Sequence, residues 1–189
     1  MRNYRLIDLT AFALLLCLLE AASAWAVGFF PGEAYTFSPV LFISLMVMAR
    51  WGAIGIAYAA LGGAVYCFLH GGTPVNYAVY IAGNLAVAVN LFWIRFLGVK
   101  RLRESAAYTV LYGITGYFAI CLGRSAISEM IGQGFWFLRF IAVEALGAVI
   151  TIIILLIARK QNGLLEPQVE YLQRMKEEEE RKRGTKTYP

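Results

Sequence analysis

The basic residues of this chain fall almost entirely in every second break between apolar runs, and that spacing limits the fold more than any single motif does. Arg2 and Arg5 precede the first run and Arg50 follows the second. Arg95, Lys100, Arg101 and Arg103 follow the fourth, and Arg159 and Lys160 follow the sixth. The breaks between, at residues 30–35, 70–76 and 124–133, contain Arg124 as their single Lys or Arg. Cationic loops stay on the cytoplasmic side of a membrane, so the alternation marks a multi-pass helical protein. With 60% hydrophobic residues and a mean hydropathy of +0.63, the chain is too apolar for a water-soluble domain.

A helix needs roughly 20 apolar residues to cross the hydrocarbon. Six runs approach that length: residues 9–29, 35–49, 52–69, 77–97, 106–123 and 135–158. The second is short and carries Pro39 near its start. Six crossings put both termini and every basic cluster on the cytoplasmic side, whereas five or seven would put one cluster outside. The expected fold is therefore all-α, an integral membrane bundle of six transmembrane helices over residues 1–160 with cytoplasmic termini. It would lie in a bacterial cytoplasmic membrane. Ala22-Ser23-Ala24 resembles a signal-cleavage site, but the apolar run is long for a signal segment and continues through Trp25 to Phe30, which favours a retained first helix.

Residues 161–189 form a charged tail. Leu164, Leu165, Val169, Tyr171, Leu172 and Met175 give it an apolar stripe, and acidic residues then precede basic ones. That order suits a short amphipathic helix at the inner membrane surface or against a partner.

Little in the chain points to catalysis. No loop is long enough for a soluble catalytic domain, and no G-x-x-x-x-G-K-[ST] phosphate loop is present. His70 precedes Gly71-Gly72 at a membrane edge and reads as a loop residue. Cys17, Cys67 and Cys121 lack metal-ligand spacing and read as small packing residues. No enzyme activity, metal, cofactor or nucleic-acid partner is expected.

Ionisable residues inside apolar runs are costly to insert, so Glu20 and Glu144 are candidates for function or for a structural ion pair. Arg139, one turn from Glu144, and Arg124 are cations placed to neutralise them. Asn76, Tyr80 and Asn84 recur every four residues and share a helical face, with Tyr77 beside them and Asn90 deeper. Lipid cannot satisfy amides and phenols, so this face should turn inward. Aromatics crowd the same side, among them Trp25, Tyr66, Phe135 and Trp136; singly they read as an interfacial belt, together as the lining of a cavity for a small, partly apolar ligand.

Ala13, Cys17 and Ala21 fall at four-residue spacing and make a smooth strip on the first helix, fit for close packing within the chain or against another subunit. From Phe37 to Gly63, a Pro39-led apolar helix turns at a Gly52 junction into a glycine-rich helix. In size, topology, this run and the Ala13/Cys17/Ala21 strip, residues 6–159 resemble the S-component of an energy-coupling factor (ECF) transporter. The resemblance implies a subunit that binds a vitamin or related micronutrient in its outer half and docks on a transmembrane coupling subunit driven by two ATPase subunits. The docking surface would be Ala13, Cys17 and Ala21, with Cys17 replacing the family's middle alanine. The substrate would be held by Tyr80, Asn84, Arg124, Glu129, Trp136, Arg139 and Glu144, with residues 30–37 as a lid. The charged tail is not part of the family pattern. The alternative reading is a small membrane scaffold resembling the MreD family of cell-shape proteins, which would bind proteins through the tail and hold no ligand.

Overall fold

Pro39 and Gly52 bracket the helix around which the others pack. The structure, a computed structural model, describes residues 2–27, 29, 37–161, 163–168, 171–175 and 177. Pro39 caps α2 (Val40–Trp51), whose residues from Val40 to Arg50 are all buried. At Gly52 the backbone takes φ 66°, a conformation open mainly to glycine, and its N–H closes α2 on the Met48 carbonyl at 2.8 Å. The chain then turns back as α3 (Ile54–Leu69), pressed against α2. A Cβ on Gly55 would lie 2.5 Å from the Met48 Cβ, and one on Gly62 would lie 2.4 Å from Val40. The glycine-rich stretch thus serves close packing within the chain.

The remaining helices enclose this pair. From α1 (Arg2–Val27), Phe12, Leu16 and Glu20 are buried, while Leu14 and Leu18 face outward. Thr73 caps α4 (Pro74–Asn84), with Pro74 in the first turn where its missing N–H costs nothing. That segment continues through a 3₁₀ stretch (Leu85–Asn90) and a π turn (Trp93–Leu97) into α5 (Gly98–Glu104). Next, α6 (Ala106–Met130) and α7 (Phe137–Ala158) form a helical hairpin.

Each expected apolar run contains helix, with non-helical residues at some of its ends (Phe29, residues 37–39, Gly52, Ala53, Phe135 and Trp136), and no strand occurs among the described residues. Four helical stretches are long and apolar enough to cross a membrane: Tyr4–Val27, Pro74–Glu104, Ala106–Met130 and Phe137–Ala158. At 12 and 16 residues, α2 and α3 are shorter than the membrane ruler. The sequence reading ended the fifth run at residue 123 because Arg124 follows; the helix in fact continues to Met130, since Arg124 is buried and has a carboxylate partner. Residues 124–130, expected as loop, belong to the bundle.

The start of α1, the end of α2 and the start of the tail meet at one end. The Asp8 carboxylate accepts from Arg50 at 2.6 and 3.1 Å and from the Trp51 indole at 2.6 Å. Arg50 also donates to the Gly163 carbonyl. Leu165 and Gln168 are buried, so the beginning of the tail packs on the bundle instead of lying apart from it. Residues 171–175 are helical, as expected of the tail, whereas 178–189 lie outside the described residues.

The crossing of α4 and α6 is equally tight, because a Cβ on Gly123 would sit 2.2 Å from the Gly83 carbonyl oxygen. Gly123→Ala is therefore expected to destabilise the fold by about 1–3 kcal/mol, the usual range for overpacking. Thermal unfolding in detergent measures it, and an unchanged melting temperature would contradict the close crossing.

Candidate functional site

At 2% exposure, Arg124 depends on neighbouring helices for every polar partner. Its Nε donates to the Asn84 Oδ1 at 2.8 Å and its Nη1 to the Glu144 Oε1 at 2.5 Å. The guanidinium lies 4.4 Å from the centre of the Tyr80 ring, a cation–π contact strengthened by burial. Asn84 in turn donates to the Ala59 carbonyl at 2.9 Å. One cation thereby joins α3, α4, α6 and α7.

Glu20 belongs to a neighbouring polar pair. It is fully buried, and its Oε1 accepts from Ser38 at 2.6 Å; its Oε2 has no partner among the described residues. A void of about 10 Å³, bordered by Ser38, Arg124 and Glu144, separates the two polar groups. That is about the volume of a single water molecule.

Above the Arg124 layer a cavity of about 450 Å³ opens toward the ends of α3, α6 and α7. Its back wall is a stack of rings. His70 lies over Tyr66 at 4.2 Å, and Tyr66 over Tyr80 at 4.8 Å, both with 26° between planes. Beyond Tyr80 is the Arg124 guanidinium, and Phe140 meets Tyr80 edge-on at 6.3 Å. On α7 and its leading loop, Trp136 is half-exposed and the Arg139 guanidinium lies 5.7 Å from its ring. The Trp136 indole donates to the Gln133 carbonyl at 2.6 Å, which fixes the ring beside the opening.

Polar groups without partners indicate what such a cavity can hold. His70 Nδ1 is 2.9 Å from the Tyr66 carbonyl, which can only accept, so that nitrogen carries a proton. The opposite nitrogen, Nε2, is buried and has no partner among the described residues. A buried ring nitrogen in that state calls for a partner. Asn76 and Gln133 add amides to the lining, and Arg139 adds a cation. No group of three His, Cys, Asp or Glu suited to a metal occurs among the described residues.

The residues expected at a binding site therefore divide into layers. Tyr80, Trp136 and Arg139 line the cavity, while Asn84, Arg124 and Glu144 lie outside its lining and hold Tyr80 from beneath. Glu129 is exposed near the end of α6 and is not part of the lining. Arg139, expected to neutralise a carboxylate, instead packs on Trp136, and among the described residues Arg124 alone bridges Glu144. The lid expected over residues 30–37 falls outside the described residues except for Phe37. On α1, Ala13 and Cys17 are half-buried and Ala21 is exposed.

The sequence reading grouped Tyr66 with aromatics that singly read as an interfacial belt and together as a cavity lining, and assigned His70 to a loop. Their four-residue spacing puts both on one face of α3 or its cap, and that was the available signal. That they would stack on Tyr80 depends on Gly63, where a Cβ would lie 2.5 Å from the Tyr80 carbonyl oxygen. Comparison with protein families, curated sequences and solved structures gives no match.

The ion pair under the cavity is the costliest part to disturb. Glu144→Gln leaves the buried Arg124 charge unpaired and is expected to destabilise by about 3–5 kcal/mol. Replacing both members, as Arg124→Met with Glu144→Gln, should restore much of that loss. Melting temperatures of the three variants in detergent decide it, and a double variant no more stable than Glu144→Gln alone would contradict the coupling.

Proposed function

We propose that this chain is the substrate-capture subunit of an ATP-driven importer, an S-component of the energy-coupling factor type in a bacterial cytoplasmic membrane. The cavity of about 450 Å³, aromatic on its walls and polar at His70, Asn76, Gln133 and Arg139, carries the reading. Its volume suits a vitamin-sized ligand. A flat ring has Trp136 and the His70–Tyr66–Tyr80 stack to pack against, and Arg139 offers a cation for an anionic or acceptor group. His70 Nε2 offers an acceptor to a ligand N–H or O–H.

Two further features support this function. Ala13, Cys17 and Ala21 are incompletely covered within the chain, leaving a small-residue strip on α1 for a transmembrane coupling subunit. The sequence carries no phosphate loop, so ATP hydrolysis falls to two ATPase partners and the chain itself is not an enzyme. In this reading α2 and α3 are the second and third of six crossings, the basic end faces the cytoplasm and the cavity opens outside.

Affinity purification of the tagged chain from its native membrane in mild detergent, followed by mass spectrometry of proteins and small molecules, tests the proposal. Recovery of a coupling subunit with two ATPases, or of one vitamin-like compound in stoichiometric amount, supports it. Recovery of cell-shape or division proteins without a ligand favours the scaffold reading. Arg139→Ala is expected to weaken ligand retention about tenfold with an unchanged melting temperature, the loss of one charge-assisted contact. Retention equal to that of the unaltered chain would remove Arg139 from the site.

A further inference from the structure

At the opposite end of the bundle a second cleft, of about 380 Å³, opens between α5, the end of α7 and the tail. Among the described residues, Lys100, Arg103, Arg159 and Arg174 line it together with Glu104 and Glu166, four cations against two carboxylates. Glu166, 8% exposed at its side chain, accepts from Arg174 at 2.8 and 3.0 Å and pairs with Arg103 at 3.2 Å. It therefore pins two guanidinium groups side by side at the cleft. Glu104 and Lys100 are exposed and 3.9 Å apart, a separation at which water screens most of their attraction.

Arg159 shows what the cleft lacks. Its Nη1 reaches the Arg103 carbonyl only at 3.4 Å, and its Nε is buried with no partner among the described residues. A buried guanidinium N–H without an acceptor is costly, and an anion with several oxygens would satisfy it together with Lys100. The exposed apolar Ile153 and Ile157 precede Arg159 on α7, and the exposed Phe96 precedes α5. Basic clefts at the cytoplasmic ends of membrane helices suit anionic headgroups.

We infer that this cleft binds a net-anionic phosphate, one not neutralised by a cation of its own molecule, with Arg159 and Lys100 as its principal ligands beside the pinned Arg103 and Arg174. Two sources supply that chemistry, the headgroup of an anionic phospholipid and a soluble phosphate compound. The inference does not depend on what fills the cavity at the other end.

Native mass spectrometry of the purified full chain in detergent, titrated with phosphatidylglycerol or with phosphatidylcholine, provides the test. Phosphatidylglycerol is expected to bind the more tightly. Lys100→Gln and Arg159→Gln should each weaken it about fivefold, leaving phosphatidylcholine binding unchanged. Lys100 is exposed and its single ion-pair partner among the described residues is the weak Glu104 contact, so that variant keeps its fold even if Arg159→Gln does not. Inorganic phosphate as competitor separates the sources. Displacement of the lipid assigns recognition to the phosphate alone, and resistance assigns it to the whole lipid; each outcome supports the site. Equal binding of the two lipids, or phosphatidylglycerol binding unaltered in Lys100→Gln, overturns it.

Discussion

A guanidinium removed from water must be surrounded by acceptors before the helices around it can close, and Arg124 imposes that condition on this bundle. Its partners, Asn84, Glu144 and the face of Tyr80, come from the helices on either side of α6. Desolvating a charge pair costs several kcal/mol per ion, recovered only when geometry and hydrogen bonds are good. The network is better understood as fixing which helices meet, and at what depth, than as a net source of stability. Tyr80 is held from below by that network, and the cavity wall above it inherits the same position.

Close approach of backbones makes the network reachable. Gly83 lies against the Arg124 backbone, where a Cβ would be 2.6 Å from the Arg124 Cα, and Gly63 lies against Tyr80 and Asn84. Larger residues there would move the amide of Asn84 out of reach of both the Ala59 carbonyl and the guanidinium. The small residues and the buried charge are thus one device: the first sets a distance that the second requires.

Much of this could be read from residue order, and the misreadings have physical causes. Apolar runs locate helices because burial and lipid both demand them, and the four-residue recurrence of Asn76, Tyr80 and Asn84 marks an inward face because lipid leaves amides unsatisfied. Periodicity does not show depth along that face. Asn76 and Tyr80 line the cavity, whereas Asn84 is beneath it, held by Ala59 and Arg124. Arg124 looked like a helix end because a lone charge is costly in hydrocarbon; Glu144 was among the carboxylates it could neutralise, but it is 20 residues away, and local pattern does not decide which cation pairs with it. Where the start of the tail packs was illegible for a similar reason. Its composition separates it from the bundle, but the contact of Arg50 with the Gly163 carbonyl joins positions 113 residues apart.

The shortness of α2 also has a consequence for membrane depth. At about 1.5 Å per residue its 12 residues rise about 18 Å, roughly 12 Å less than the hydrocarbon thickness. Mismatch between helix and bilayer acts on surfaces that touch lipid, and the residues of α2 from Val40 to Arg50 are buried in protein. Its last turn is tied to Asp8 at the basic end, and its first turn begins beside Ser38, which meets Glu20. The missing turns therefore let a hydroxyl and a carboxyl meet in the interior without a long polar channel being cut through a full-length helix.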